Sequence, residues 1–396
     1  MIVQMNGLTA AVRRLGVLGP IAFVLVGVAL SAAVPELRVV VTPELVLVVL
    51  LPGLVFEAAY RLHWEDLRRS YAAIAFLAVP GVLISAAVVA VVLAVGTGLR
   101  PELAFVVGAM LSATDPAAVV ATFTKLRAPR RLIAIVDAES LLNDGTGLVV
   151  FAIAVAAVTR GVGPLEAIWL FGVTIAGSVV LGALAGLAAA LVVVSAPGRV
   201  LPVVISLVTA YGTYLAAAAE GLSGVLASVL AGIVLGNYGR RIGLTDATER
   251  ALDAVWEPLA AVLTALIFLA VGIAIGASGA LSALGPIAWG LLAVLGGRAL
   301  VVYGLIGGAI AVLGRRPVAP DLPAGWLHPL FWAGLRGGVA TAAALSLPLD
   351  FPERELLQRI TFGIVVVTLL VQGSTAGWLV RRVAPVDQPA STLRTT

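Results

Sequence analysis

Three acidic residues and an amide lie within eight residues of one another, directly before an apolar run. The acids are Asp137, Glu139 and Asp144, and the amide is Asn143. A carboxylate near the middle of a bilayer costs about 3 kcal/mol on insertion scales, so such residues are usually paired, water-facing or functional. This segment is therefore the first candidate for a site that binds a cation or a proton.

Helical spacing divides the segment into two faces, because residues four apart lie one above the other on a helix. Ser140 and Asp144 share one face, and Glu139 and Asn143 share the neighbouring face. A carboxylate and a hydroxyl suit a hard monovalent cation, which prefers oxygen ligands. Burial disfavours the ionised form of a carboxylate. We therefore expect Asp144 to hold a proton and a cation in alternation.

The composition is that of a polytopic membrane protein. Of the 396 residues, 61% are hydrophobic and 12% are charged, and the mean hydropathy is +1.11. The chain has no cysteine, which excludes disulfides. Residues 1–14 precede an apolar run without a cleavage site, so we interpret that run as a first span rather than a signal peptide. Spans of about 20 residues are predicted at 15–34, 42–60, 71–96, 102–122, 132–158, 165–194, 200–219, 222–238, 251–276, 283–313, 326–348 and 357–380.

The basic residues indicate how these spans are oriented. Most of the 25 lysines and arginines fall in alternate loops, and Lys and Arg are enriched in cytoplasmic loops. Twelve spans with both termini cytoplasmic is the arrangement that fits this alternation. We expect a multi-pass protein of a prokaryotic cell (inner) membrane, with the lipid bilayer as its surroundings and no nucleic-acid partner.

Two spans are interrupted by residues that do not suit a lipid-facing helix. The fourth contains Thr114-Asp115-Pro116, and the eleventh contains Arg336 between glycines. Proline removes a backbone donor, and unwound backbone within a membrane must line a cavity or be buried in protein. Paired broken helices in corresponding halves are typical of a transport site built from inverted repeats. Thr114 and Asp115 would add oxygens to that site.

Two arginines inside spans need partners. We expect Arg336 to pair with Glu139, which would leave Asp144 as the unpaired acid. Arg298 needs an acid or exposed carbonyls, and the sequence names no partner for it. Glu57 near Arg61 is either a further ligand or an interfacial acid. The remaining groups are assigned supporting roles: Asp137 as a cap at the start of the fifth helix, Glu257 as an interface anchor, and His63 and His328 as solvated loop residues.

The motifs together resemble a known family. Ala113-Thr114-Asp115-Pro116, Glu139 to Gly145 and Arg336-Gly337-Gly338 are similar to the monovalent cation/proton antiporters of the NhaP and animal sodium/proton exchanger type. Supporting stretches are Leu51-Pro52 to Phe56-Glu57, Ser223 to Ala227, and Trp256-Glu257 followed by Phe268 to Gly272. The resemblance covers nearly the whole chain, in family order.

This resemblance implies an all-α fold with inverted repeats and two crossed, broken helices, and a homodimer with elevator-like alternating access. It implies that Asp144, Ser140, Thr114, Glu57 and Asp115 bind Na⁺ or protons and that Glu139, Asn143 and Arg336 brace the site, with Arg298 unassigned. The Asn143-Asp144 pair is similar to the electroneutral branch, and no cofactor is expected. The implied divisions are dimerisation helices in 1–63, a core bundle in 64–160, a linker helix in 161–197, dimerisation helices in 198–280, a second core bundle in 281–384 and a short cytoplasmic tail in 385–396.

Two features depart from the family pattern and leave alternatives open. Family members commonly have thirteen helices, which indicates a lost or unannotated first helix, and we expect no regulatory tail like that of the animal exchangers. The leading hypothesis is a secondary antiporter of Na⁺ (or Li⁺ or K⁺) against H⁺ and not an enzyme. A K⁺/H⁺ antiporter is the nearest alternative. A cation channel would need a filter, and a purely structural protein would leave Asp144, Asp115 and Arg336 unexplained.

Overall fold

The computed structural model describes residues 19–34, 41–279, 283–313 and 323–383. The beginning of the first predicted span, the loop with Arg315 and Arg316, and the predicted tail at 385–396 lie outside these ranges. Regular structure in the described ranges is helical. The helices are α1 (Gly19–Ala33), α2 (Leu51–Arg61), α3 (Trp64–Ala78), α4 (Pro80–Thr97), α5 (Pro101–Met110), α6 (Ala117–Lys125), α7 (Arg130–Arg160), α8 (Pro164–Ser195), α9 (Val200–Ala219), α10 (Gly224–Ile242), α11 (Asp246–Ser278), α12 (Leu284–Ala299), α13 (Gly308–Leu313), α14 (Leu327–Trp332), α15 (Gly338–Leu345) and α16 (Arg354–Val383).

Apolar helices long enough to cross a membrane account for most of these elements. Within the described ranges, seven helical stretches have the necessary length and composition, counting α3 with α4 and α12 with α13 as continuous stretches. The helices α1 and α5 are apolar but shorter. The predicted spans coincide in sequence with these elements, and the count of twelve crossings stays a prediction.

Two segments of π-helix adjoin the elements that carry charged groups. Leu45–Leu50 leads directly into α2, whose second residue is Pro52. A proline there has no N–H to donate, which favours a local change in the backbone hydrogen-bond pattern. Leu300–Gly307 connects α12 to α13 and begins two residues after Arg298. Such π segments are frequent next to functional sites.

The helices pack into two groups. The first group joins α10 to α8, α2 and α9, with α11 against α2 and α9. The second joins α4 to α5 and α12, α3 and α5 to α7, and α16 to α6, α12 and α15. Small residues allow the closest contacts, as is common between membrane helices. In α8, Gly182 and Gly186 lie directly against the α10 backbone at Ala227 and Ala231.

The two interrupted helices meet in the second group. Residues 111–116 separate α5 from α6, and residues 333–337 separate α14 from α15. The two breaks are joined through the main chain, since the Asp115 N–H donates to the Leu335 carbonyl at 2.9 Å. Helix α7 packs against α5, α6 and α15, so its acidic segment faces the place where the breaks meet.

Candidate functional site

Asp115 caps both of the half helices that begin after the breaks. Its Oδ1 accepts from the N–H of Ala117 at 3.1 Å, and its Oδ2 accepts from the N–H of Gly338 at 3.3 Å. These are the first residues of α6 and α15. A carboxylate at a helix N-terminus is stabilised by otherwise unpartnered N–H groups and by the helix dipole. The negative charge of Asp115 is therefore balanced by two helix ends.

Asn143 holds the unwound segment of the first break against α7. Its Oδ1 accepts from the Thr114 N–H at 3.1 Å, and its Nδ2 donates to Thr114 Oγ1 at 2.7 Å. Thr114 Oγ1 also lies 3.0 Å from Ser140 Oγ. The three side chains are buried. The predicted bracing role of Asn143 therefore has a partner in the structure, and that partner is Thr114.

Glu139 pairs with Arg298, and the prediction that it pairs with Arg336 was wrong. Arg298 Nη1 contacts Glu139 Oε1, and Arg298 Nη2 donates to Glu139 Oε2 at 3.0 Å. The same Nη2 donates to the Leu330 carbonyl at 2.6 Å. The side chains are 1% and 5% exposed. Helical spacing predicted which face of α7 carries Glu139. It could not predict that α12 lies beside this face, which brings Arg298 to Glu139.

Arg336 is held by carbonyl and hydroxyl oxygens. Its Nη1 donates to the Ala113 carbonyl at 3.2 Å in the first break, and its backbone N–H donates to Thr368 Oγ1 at 3.3 Å. Its side chain is buried. Arg336 therefore links the two breaks.

Charges of opposite sign lie at opposite ends of the half helices. Asp115 faces the N-termini of α6 and α15. Arg298 binds the carbonyl of Leu330, in the last turns of α14, and Arg336 binds the carbonyl of Ala113, shortly after α5. The ends of a helix carry partial charges of opposite sign, and the last carbonyls have no partner within the helix. Arg298 therefore binds a carbonyl near the C-terminal end of α14, and Arg336 binds a carbonyl of the unwound segment after α5.

The carboxylate of Asp144 is buried and borders a cavity. Its side chain is 8% exposed, and within the described ranges its Oδ1 has no hydrogen-bond partner. It lines a cavity of about 130 Å³ together with Ser140, Asp115 and otherwise mostly apolar side chains. A cavity of this size has room for several water molecules or for a cation that keeps part of its hydration shell. Ser140 and Asp144, which were predicted to share one face of the helix, therefore both border this cavity.

Two further acids, Asp137 and Glu57, differ in whether they line this cavity. Asp137 lines the cavity two helical turns before Asp144. It lies well inside α7, which begins at Arg130, so the prediction that it caps this helix was wrong. Glu57 is 8% exposed and forms an ion pair with Arg61. This pair agrees with the interfacial reading of Glu57, which does not line the cavity as Asp137 does.

A second cavity, of about 290 Å³, lies beside the other half of α7. Its lining includes the beginning of α10 and five residues of α7, namely Leu148, Val149, Phe151, Ala152 and Ile153. Between the two cavities, α7 and α10 are in close contact, since a methyl group added at Gly145 would overlap with the side chain of Leu226. The space beside Asp144 and the space beside residues 148–153 are therefore separated by tightly packed helices.

Comparison with known proteins identifies the family. The sequence profile described as "Sodium/hydrogen exchanger, transmembrane" matches residues 3–382. The chain belongs to the sodium/hydrogen exchanger family. It is therefore a multi-pass membrane transporter and not an enzyme, and the predicted resemblance is confirmed.

Named relatives and a solved structure agree with this assignment. The low-affinity Na⁺/H⁺ antiporter NhaS1 of Synechocystis is 34% identical over 380 residues, which cover 93% of this chain and 71% of the relative. The Na⁺/H⁺ antiporter NhaP of Pseudomonas aeruginosa is 36% identical over 353 residues, with coverages of 86% and 81%. The sodium proton antiporter MjNhaP1 of Methanocaldococcus jannaschii has the same fold, with a TM-score of 0.70 at 17% identity over 94% of this chain and 100% of that one.

Sequence reasoning missed two contributors to this site. The partner of Arg298 could not be assigned, although Glu139 was singled out. Asp137 was assigned to the helix end although it lies seven residues before Asp144, a spacing that places both on one helical face. That spacing was the available signal for Asp137. No sequence signal fixes the lateral arrangement of α7 and α12.

Proposed function

We propose that this exchanger-family protein exchanges Na⁺ for H⁺ across the membrane, with the cation and the proton competing for Asp144. The observation that carries the proposal is the buried Asp144 carboxylate, which has an unpartnered oxygen and faces a cavity beside the crossing of the two breaks. The NhaS1 and NhaP relatives are named as Na⁺/H⁺ antiporters, which favours Na⁺ over K⁺. The transported ions are substrates, and no cofactor is proposed.

The ligands in this proposal are oxygens. Asp144 supplies the charge, and Ser140 and Thr114 supply hydroxyls that already lie within 3.0 Å of one another. Asp115 contributes through water because both of its carboxylate oxygens cap helices. Glu57 joins the ligand set only in a state in which it has left Arg61. Carboxylate and hydroxyl oxygens suit a hard monovalent cation.

The charge balance around Asp144 supports electroneutral exchange at 1:1. Glu139 is compensated by Arg298, and Asp115 is compensated by two helix ends. Two carboxylates then remain in the cavity, Asp137 and Asp144. In this proposal Asp144 releases one proton on binding one Na⁺, whereas Asp137 keeps the same charge throughout the cycle. The loaded forms with Na⁺ and with H⁺ then carry the same charge, so a membrane potential does not drive the exchange.

The two cavities and the two groups of helices support a mechanism of alternating access. A transporter must open its site to one side at a time, and the packing of Gly145 on Leu226 separates the Asp144 cavity from the second cavity. We propose that the core bundle, 64–160 with 281–384, moves against the dimerisation helices in 1–63 and 198–280. The helix within 161–197 links them. We further propose a homodimer in a prokaryotic inner membrane with both termini cytoplasmic.

The test is exchange in proteoliposomes with an acidic interior, monitored by a pH-sensitive dye. Addition of Na⁺ should dissipate the gradient, and Asp144→Asn should abolish this response. Asp350→Asn, at an exposed acid outside the site, is the matched control and should behave like the wild type. Unchanged exchange by Asp144→Asn would exclude the proposed site. A response to K⁺ but not Na⁺ would overturn the cation assignment, and a rate that changes when the potential is clamped would exclude electroneutrality.

A further inference from the structure

A groove separate from the Asp144 cavity lies where α3, α8 and α10 meet. Its volume is about 390 Å³, and it is lined by Trp64, Ala183, Leu187, Ile233, Val234, Asn237, Tyr238 and Arg241. Helix α3 packs on α7 in one group of helices, whereas α8 and α10 pack together in the other. The groove therefore crosses the junction between the two groups.

The lining of the groove changes from apolar to polar along α10. Ile233 and Val234 lie at one end with Ala183 of α8, and Tyr238 and Arg241 follow at the other end. From Ile233 to Arg241 the helix rises about 12 Å. An amphiphile with a polar head and an apolar chain matches this gradient, because its chain would contact the aliphatic residues while its head remained near the end of α10.

The polar end of the groove carries an uncompensated positive charge. Arg241 is exposed, and within the part of the chain that the structure describes no carboxylate lies within ion-pair distance of it. Its neighbour Arg240, in contrast, is paired with Glu249 at 2.7 Å. The acids Glu65 and Asp66 of α3 do not line the groove. The charge of Arg241 is thus complementary to an anionic head.

Two aromatic residues and a hydrogen-bonded asparagine lie at the same end of the groove. Trp64 is 59% exposed and Tyr238 is 36% exposed, and amphipathic rings of this kind favour the headgroup level of a bilayer. Asn237 accepts from the Trp64 N–H at 2.7 Å and donates to the Leu62 carbonyl at 2.9 Å. The link between α2 and α3 is therefore fixed against α10 at the place where the head would lie.

We propose that this groove binds one anionic phospholipid, with its phosphate at Arg241 and an acyl chain along Leu187, Ile233 and Val234. Basic pockets between membrane helices bind anionic headgroups on the cytoplasmic side, and the Lys and Arg distribution places this end of α10 on that side. The lipid bridges α3 to α8 and α10 and so contacts both groups of helices.

Native mass spectrometry of the purified full chain tests this with phosphatidylglycerol and with phosphatidylcholine of the same acyl chains. One molecule of phosphatidylglycerol per chain should be retained in preference to phosphatidylcholine. Arg241→Gln should weaken this binding about five-fold, as expected for one basic residue near a headgroup, and Arg241→Lys should retain it. Arg199→Gln, at an exposed arginine outside the groove, should bind like the wild type.

A second pair of variants tests the apolar part. Leu187→Trp fills the groove and should abolish retention of phosphatidylglycerol, whereas Leu184→Trp, at a 59% exposed position outside the lining, should not. The melting temperature without lipid reports whether each variant is folded. Equal binding of the two lipids, or equal effects of Arg241→Gln and Arg199→Gln, would overturn the proposal. A change in oligomeric state in Leu187→Trp alone would instead assign the groove to a second copy of the chain.

Discussion

The pairing of Glu139 with Arg298 predicts a strong energetic coupling between two residues 159 positions apart. Both side chains are almost fully buried, and they share two contacts. Removal of one member of such a pair leaves the other charge buried and uncompensated, which costs about 3–5 kcal/mol. Glu139→Gln and Arg298→Met should therefore each lower the free energy of unfolding by about that amount.

The double variant should be far less destabilised than the sum of the singles. Removal of both charges eliminates the uncompensated group, and a buried pair replaced by neutral residues is often tolerated. We expect the double variant to cost about as much as one single, which corresponds to a coupling of about 3–5 kcal/mol. The measurement is the free energy of unfolding from titration with sodium dodecyl sulfate in mixed micelles, followed by circular dichroism.

Two further double-mutant cycles serve as controls. The exposed pair Glu355 and Arg359, on α16, should show a coupling of about 0.5 kcal/mol or less, as is usual for surface pairs. A cycle between Glu139 and Arg336→Met should give a coupling well below that of Glu139 with Arg298. A Glu139–Arg298 coupling no larger than that of the exposed pair, or smaller than that with Arg336, would refute the assignment.

Three other substitutions test the site from different sides. Gly337→Ala places a methyl group into the Asp115 carboxylate, so it should abolish Na⁺/H⁺ exchange in proteoliposomes; wild-type exchange would contradict the close approach of the breaks. Asn143→Ala leaves the buried Thr114 N–H without its acceptor and should lower the free energy of unfolding by about 1–3 kcal/mol; a loss below that range would mean that another group replaces the amide. Asp137→Asn removes a charge from the cavity but not from Asp144, so it should raise the Na⁺ concentration for half-maximal exchange and leave the maximal rate unchanged; a lost maximal rate with unchanged half-saturation would assign Asp137 to the transport step itself.

The assignment as a membrane protein, the helical fold and the two broken helices could be predicted from the sequence, because each depends on local chemistry. Apolar runs fix where helices lie, and Asp115-Pro116 and the glycines beside Arg336 cannot continue an ordinary helix in lipid. The common face of Ser140 and Asp144 follows from helical periodicity alone. These features need no knowledge of which helices are neighbours.

The partners of the buried charges could not be predicted in this way. Arg298 and Arg336 are both intramembrane arginines, and either could satisfy Glu139 until the positions of α12 and α14 are known. The double cap at Asp115 also depends on two half helices that are more than 200 residues apart in sequence. The placement of Asp137 failed for a simpler reason. The capping role put the helix start at Asp137, although the predicted span begins at 132 and α7 begins at Arg130.

The hydrogen bond from the Asp115 N–H to the Leu335 carbonyl joins the two breaks without any side chain. A link between backbone atoms survives substitution of either side chain, provided that position 115 does not become a proline, which would remove the donor N–H. The residues that contact the ion can therefore be exchanged during evolution while the crossing of the chain is preserved. This separation would allow ion preference to diverge among related transporters on one unchanged backbone scaffold.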